Sequence, residues 1–204
     1  EGQGRVLTIG CDLDLSETRI GDSIAVNGAC LTAVSISGGR FTVDMAPETV
    51  SRTTFRRLAP GARVNIERAL KLSARIDGHL VSGHIDGTGT IAAMERLSNA
   101  VIVRIQAGSE LCADMIEKGS VAIDGIRLTI NEITDTDFSV SIIPHTAAVT
   151  TIGFKQSGDP VNIETDMIGK YVRKQLAAGA SANDAQPSDP SGISMALLAD
   201  KGFL

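Results

Sequence analysis

Apolar and polar residues alternate in short runs along most of the chain, with turn residues between the runs. Residues 23–28 read SIAVNG and residues 120–125 read SVAIDG. Each alternates with the period of a half-buried strand, and each ends in Asn-Gly or Asp-Gly, the strongest short-range hairpin signal. RFTVDM (40–45) and DFSVSII (137–143) alternate in the same way, and ARVNIER (62–68) and PVNIET (160–165) close each series. Many short strands with turn signals between them predict small antiparallel barrels. One segment breaks the pattern. DMIGKYVRKQLAAGA (166–180) sets Met167, Ile168, Tyr171, Val172 and Leu176 at helical spacing, with Asp166 placed to cap the start. The polar stretch SANDAQPSDPSG that follows has the composition of a flexible tail, and ISMALLADKGFL reads as a short helix or as unstructured chain.

The two series are one series written twice. Residues 21–70 align with residues 118–167 without a gap, at the offset that takes Gly28 to Gly125. Identities include Ser23/Ser120, Leu31/Leu128, Thr32/Thr129, Phe41/Phe138, Pro47/Pro144, Thr49/Thr146 and Asn65-Ile66-Glu67/Asn162-Ile163-Glu164. About a third of the window matches, and two copies of this length point to a duplicated domain rather than a solenoid. The boundary falls near LSARIDGHLVSGH (72–84). The expected organisation is a first barrel over 1–78, a second over 79–165, a helix over 166–180 and a flexible tail over 181–204. HIDGTGTIAAMERLSNAVIVRI (84–105) leads into the second copy, but only EGQGRVLTIG precedes the first. The first barrel is therefore expected to be one strand short, as in a chain that begins after its natural N-terminus.

Composition narrows the function. With 204 residues and 43% hydrophobic content, two small cores are expected. The net charge of −5 argues against a nucleic-acid or anionic-membrane binder. No apolar run reaches bilayer length and no signal peptide is legible, which together with unpaired cysteines points to the cytoplasm. Cys11, Cys30 and Cys112 form no CxxC pair, so neither a zinc site nor a disulfide framework is expected. There is no GxGxxG and no P-loop, so a dinucleotide or triphosphate lacks its usual cradle. Only 3% of residues are aromatic, which leaves any flat ring to be held by backbone groups and aliphatic walls.

Candidate chemistry emerges where the copies differ. Cys30 taken alone reads as buried filler. Its counterpart is Arg127, so packing does not demand a small apolar side chain in that slot. Glu48 against His145 and Asp44 against Ser141 differ in the same way. PETVSRTT (47–54) and PHTAAVTT (144–151) read either as a proline bend before a strand or as polar recognition of a ring edge. His79 and His84, five apart in GHLVSGH, point to opposite faces of an extended chain and make a poor metal pair. Gly83 beside His84 permits close approach of a ligand.

Seven segments in order, NGACLT, APETVSRTT, VNIERALK, GHLVSGHIDGTG, KGSVAIDGIRLTIN, IIPHTAAVTT and VNIETDM, resemble the riboflavin synthase alpha-chain family. The resemblance covers about Gly21 to Val172. It implies an all-β fold of two tandem six-stranded antiparallel Greek-key barrels plus a C-terminal helix through which three chains form a homotrimer. It implies a transferase that joins two molecules of 6,7-dimethyl-8-ribityllumazine and moves a four-carbon unit between them, without metal or other cofactor. The products are riboflavin and 5-amino-6-(D-ribitylamino)uracil, and lumazine synthase is an implied partner. The site would lie between the first barrel of one chain and the second barrel of a neighbour.

Carried over by the same resemblance, the catalytic residues fall on Ser23, Cys30, Thr32, His84, Thr129 and Asp166. The first lumazine pocket would use Cys30, Leu31 and Thr32, then Asp44, Met45, Ala46, Pro47, Glu48 and Thr49, and then Gly83, His84 and Ile85. The second would use Lys118, then Arg127, Leu128 and Thr129, and then Ile142, Ile143, Pro144, His145, Thr146 and Ala147. These residue types suit the reaction. A base with the pKa of histidine assists loss of a proton from the acidic 7-methyl group. Cys30, or a water held by Ser23 and Asp166, would add at C7 of the other molecule. Two rivals compete: a non-catalytic lumazine- or flavin-binding protein, and a flavin-dependent oxidoreductase, for which the chain shows no nicotinamide-binding motif.

Overall fold

The computed structural model describes residues 3–71, 73–75, 78–184 and 195–202. Leu72, Ile76 and Asp77 of the boundary segment, and 185–194 of the expected tail, lie outside the described residues. The alternating runs form eleven strands among the described residues. In the first half these are β1 (Arg5–Gly10), β2 (Ser23–Val26), β3 (Ala29–Ser37), β4 (Arg40–Met45) and β5 (Ile66–Arg68), in the antiparallel order β1-β4-β3-β2-β5. In the second they are β6 (Gly87–Arg96), β7 (Val101–Gln106), β8 (Ser120–Ile123), β9 (Ile126–Ile133), β10 (Asp137–Ile142) and β11 (Pro160–Thr165).

The second half is a closed six-stranded barrel, and β1 to β5 repeat the pairings of β7 to β11. Among the described residues the first half has no counterpart of β6, the strand that closes the ring by pairing with both β7 and β11. The described strands thus make a five-stranded sheet in the first half and a closed ring in the second. A groove of about 1320 Å³ runs beside β1 and β5, lined by Arg5–Leu13 and Leu58–Glu67.

Each half has its own core, because inward positions alternate along each strand. Ile24, Val26, Phe41, Val43 and Phe55 are fully buried in the first, and Ile91, Val103, Ile105, Phe138 and Ile163 in the second. Each such side chain contributes on the order of 1.5–3 kcal/mol on burial. The two proline motifs differ from the expected bend and strand start. They form short helices, α1 (Pro47–Arg52) and α3 (Pro144–Val149), with Pro at the first helical position. Proline's preset φ and missing N–H suit that position, which favours a helix start over a strand. A further turn of helix, α2, spans Ser109–Cys112. The long C-terminal helix α4 spans Met167–Asp184, four residues beyond its expected end, and α5 spans Met195–Asp200.

The two halves meet at their hairpin tips. Asn27 and Gly28 have φ of 43° and 79°, and Asp124 and Gly125 have 47° and 81°. This is the left-handed pair that an Asn-Gly or Asp-Gly two-residue hairpin adopts. A Cβ on Gly28 would lie 2.6 Å from the Gly125 amide nitrogen, so the tips touch backbone to backbone. Around them the repeated asparagines exchange arms. Asn65 Nδ2 donates to Asp124 O at 2.9 Å and its Oδ1 accepts from Thr151 N at 2.8 Å. Asn162 Nδ2 donates to Asn27 O and its Oδ1 accepts from Thr54 N, both at 2.8 Å. Each such bond is worth about 1 kcal/mol net, and leaving a buried partner unpaired costs more.

Behind one tip lies a charge. Asp124, 1% exposed, accepts from Asn162 N at 2.8 Å and faces Lys155 Nζ at 3.2 Å. Burial pushes its carboxyl pKa above the usual carboxylate value, against the pull of Lys155 and the Asn162 amide.

Candidate active site

Cys30 sits on β3 at a position that alternation turns outward, and its thiol is exposed while Ala29 and Leu31 are buried. It is not core filler. Ser23 pairs with Thr32 across β2 and β3, as Ser120 pairs with Thr129 across β8 and β9. The two pairs thus occupy equivalent positions, and both threonines are exposed.

A strap from the linker lies on Cys30. Gly83 O accepts from Cys30 N at 2.9 Å. A Cβ on Gly83, whose φ is +84°, would sit 2.5 Å from the Cys30 Cβ, so only glycine allows this approach. His84, next along, is exposed, and Ile85 packs against the first core. The strap is tied to the second barrel by two carboxylates. Glu164 on β11 accepts from Ser82 N at 2.6 Å, Ser82 Oγ at 2.8 Å and Gly83 N at 3.0 Å. Asp86 accepts from Thr165 N at 2.8 Å, Thr165 Oγ1 at 2.9 Å and Lys170 Nζ at 2.6 Å.

Arg127 stands on β9 in the slot equivalent to that of Cys30, and its guanidinium pairs with Glu67 of the first half at 3.1 Å. Ser23, Cys30, Ser82, Gly83 and Arg127 line one pocket of about 150 Å³. That is below the 300–1,000 Å³ of ordinary ligand pockets. His79 is half-buried and its Nε2 has no hydrogen-bond partner among the described residues. Burial lowers its pKa against the attraction of Asp166, and Arg127 lowers it further while Glu164 opposes.

The remaining sequence candidates are spread over both halves. Leu31, Met45 and Ile142 are buried in the cores, which leaves their backbones as the groups a ligand would meet. Asp44, Ala46, Pro47 and Glu48 are exposed at the end of β4 and the start of α1, with Thr49 half-buried. Ile143, Pro144 and His145 are exposed at the matching end of β10, and Thr146 and Ala147 are half-buried. Leu128 packs on the second core. Lys118 is exposed and holds φ of 62°, where its counterpart Gly21 has 97°. Asp166 accepts from Ile168 N at 3.0 Å, the capping role expected of it. None of these lines the small pocket beside Cys30. Sequence reasoning passed over Ser82, Asp86 and Glu164; the one available signal was the identity of Glu67 and Glu164 across the repeat. Among the described residues, no group of three or more His, Cys, Asp or Glu stands ready for a metal ion.

Comparison with known proteins places this geometry. The lumazine binding domain model matches twice, at residues 1–69 and 82–166. The riboflavin synthase of Bacillus subtilis is 43% identical over 202 residues, covering 99% of this chain and 92% of that protein. That of Actinobacillus pleuropneumoniae is 42% identical over 205 residues, with 100% and 92% covered. A crystal structure of LumP complexed with riboflavin superposes with a TM-score of 0.74 at 26% identity, covering 79% of this chain and 88% of that one. LumP complexed with 6,7-dimethyl-8-(1'-D-ribityl) lumazine gives 0.72 at the same identity and coverage. Two lumazine binding domains in tandem, matched over nearly the full length to curated synthases, make this chain a member of the riboflavin synthase family.

Proposed function

We propose that the chain is a riboflavin synthase: a transferase that dismutates two molecules of 6,7-dimethyl-8-ribityllumazine into riboflavin and 5-amino-6-(D-ribitylamino)uracil. The observation that carries this reading is the doubled binding domain with unlike residues in one slot, exposed Cys30 in the first copy and Arg127 in the second. Two like substrates call for two like pockets, and a donor and an acceptor call for a difference between them.

In this reading His84 assists loss of a 7-methyl proton from one lumazine, and the ring takes up the charge. Cys30, or a water held by Ser23 and Asp166, adds at C7 of the other and opens it to attack. Holding the two rings together supplies much of the rate, since orientation is worth roughly 7–11 kcal/mol. The small volume beside Cys30 favours a site completed by another chain, so that three chains assemble around shared sites. The apolar stripe Met167, Ile168, Tyr171, Val172 and Leu176, exposed on α4, fits that assembly. No helix of the described residues is long and apolar enough to cross a membrane, and a cytoplasmic location and docking to lumazine synthase complete the proposal.

The test is direct. Purified protein mixed with 6,7-dimethyl-8-ribityllumazine alone should form riboflavin, read by its fluorescence. Tight binding without product would favour the second reading, a non-catalytic lumazine- or flavin-binding protein, to which the LumP likeness lends weight. A chain ending before Asp166 should sediment as a smaller species; an unchanged trimer would sink the role of the helix.

A further inference from the structure

Glu67 and Glu164 are one residue in two copies, yet they hold different things. Glu67 ion-pairs Arg127 directly at 3.1 Å. The equivalent partner of Glu164 would be Cys30, which offers no cation. Instead both Glu164 carboxylate oxygens are taken by the strap: Oε1 accepts from Ser82 N and Oγ, and Oε2 from Gly83 N. Glu164 is 4% exposed, so these charge-assisted bonds are shielded from water. Gly83 in turn accepts from the Cys30 amide, and Ser82 Oγ accepts from His84 N at 3.4 Å. A buried carboxylate of the second barrel thus reaches both His84 on the strap and Cys30 of the first barrel through three residues of linker.

We propose that Glu164 is the positioning residue of the reaction: it sets the Ser82–His84 strap so that His84 and the Cys30 strand keep one fixed relation. This rests on the riboflavin synthase reading. Asp86 pins the far end of the same strap to Thr165 and Lys170, so the strap can move only if one carboxylate lets go. Neither carboxylate needs to touch substrate. A displacement of about 1 Å at a reacting group costs on the order of 10²-fold in rate, which sets the scale of the expected effect.

The experiment compares full-length wild type, Glu164→Gln, His84→Gln and the double variant in riboflavin formation. Glutamine keeps the shape of the side chain but turns an amide N–H toward the Gly83 N–H, two donors face to face. Glu164→Gln is expected to lower kcat about 10²-fold while KM moves little. The double variant is expected to be no slower than His84→Gln alone, because residues that act as one unit are not additive. A wild-type kcat in Glu164→Gln overturns the proposal, and so do losses that multiply in the double variant, the mark of an independent structural role. Should Glu164→Gln fail to fold, Ser82→Ala removes two of the strap's contacts from an exposed residue and is expected to lower kcat in the same direction; an unchanged kcat there overturns it equally. If wild type forms no riboflavin, the functional reading has failed. Amide exchange then decides for the strap: faster exchange at Ser82 and Gly83 in Glu164→Gln upholds the tether, and unchanged exchange overturns it.

Discussion

Behind the tip Asn27–Gly28 the repeat has Leu58, which packs on the first core; behind Asp124–Gly125 the same slot has Lys155, which reaches the buried carboxylate. The backbone around both tips is the same: the left-handed turn, the glycine contact and the crossed asparagine arms. The side chains beyond it have changed in compatible pairs. Neutral Asn27 goes with Leu58, and charged Asp124 goes with Lys155. Cys30 and Arg127 show the same logic on the outer face. Where the slot holds Arg127, Glu67 pairs with it, and where it holds Cys30, the strap occupies the glutamate. Duplication kept what backbone geometry needs and released what only local charge balance needs.

The widest gap between the halves should appear in turnover. His84→Gln, on the strap that lies on the first half, is expected to lower kcat about 10²–10⁴-fold, the range of lost acid–base assistance. Cys30→Ser is expected to act in the same direction with binding largely kept. Arg127→Ala in the second half should raise KM more than it lowers kcat. Equal splits between kcat and KM in both halves would erase the division between a reacting and a binding half.

Next in size is the buried pair. Asp124→Asn copies the first half at one position and strands Lys155, 19% exposed, beside a neutral amide. A loss of about 3 kcal/mol in urea unfolding is expected, the low end for breaking a buried pair because Lys155 reaches solvent. Adding Lys155→Leu completes the copy and should recover most of that loss. A double variant as unstable as the single would show that the two slots are not exchanged as a pair.

The glycine contact offers a smaller test. Gly28→Ala places a methyl 2.6 Å from the Gly125 nitrogen, while Gly125→Ala places one 3.0 Å from Gly28 backbone atoms. Both are expected to lose about 1–3 kcal/mol from crowding and left-handed strain, with Gly28→Ala the worse. The reverse order in thermal melts would contradict the geometry of the tips.

The smallest effect is a slope. In the folded chain burial raises the pKa of Asp124 above its ordinary value of 3.8. Between 3.8 and the higher folded value the folded chain keeps a proton that the unfolded chain releases, so this group's contribution to stability falls as pH rises through that window. Asp124→Asn with Lys155→Leu does not titrate there. Its stability relative to wild type should therefore improve as pH rises from below 3.8, and a flat difference in urea midpoints would argue that burial does not shift Asp124 upward.

Much of this was legible in the letters. Alternation and the Asn-Gly and Asp-Gly turns foretold the hairpins, because a two-residue period and a left-handed turn are local properties. The offset alignment exposes the duplication, and the Cys30/Arg127 difference singles out the slot. In the proline motifs the letters do not separate a bend before a strand from a helix start, since Pro in a turn and Pro at a helix start share the same φ. Glu164 was invisible as a tether, because its partners Ser82 and Gly83 lie some eighty residues earlier.

By itself, the sequence determined what depends on neighbours along the chain: strand period, turn chirality, the helix cap at Asp166, and the family to which two repeated domains belong. The tertiary structure alone decided that Cys30 faces outward under a glycine strap, that Asp124 is buried against Lys155, and that a carboxylate of one barrel holds the loop lying on the other. Those facts rest on groups brought within 3.2 Å of each other from distant parts of the chain. Distance through space, not distance along the sequence, sets the strength of a hydrogen bond or an ion pair.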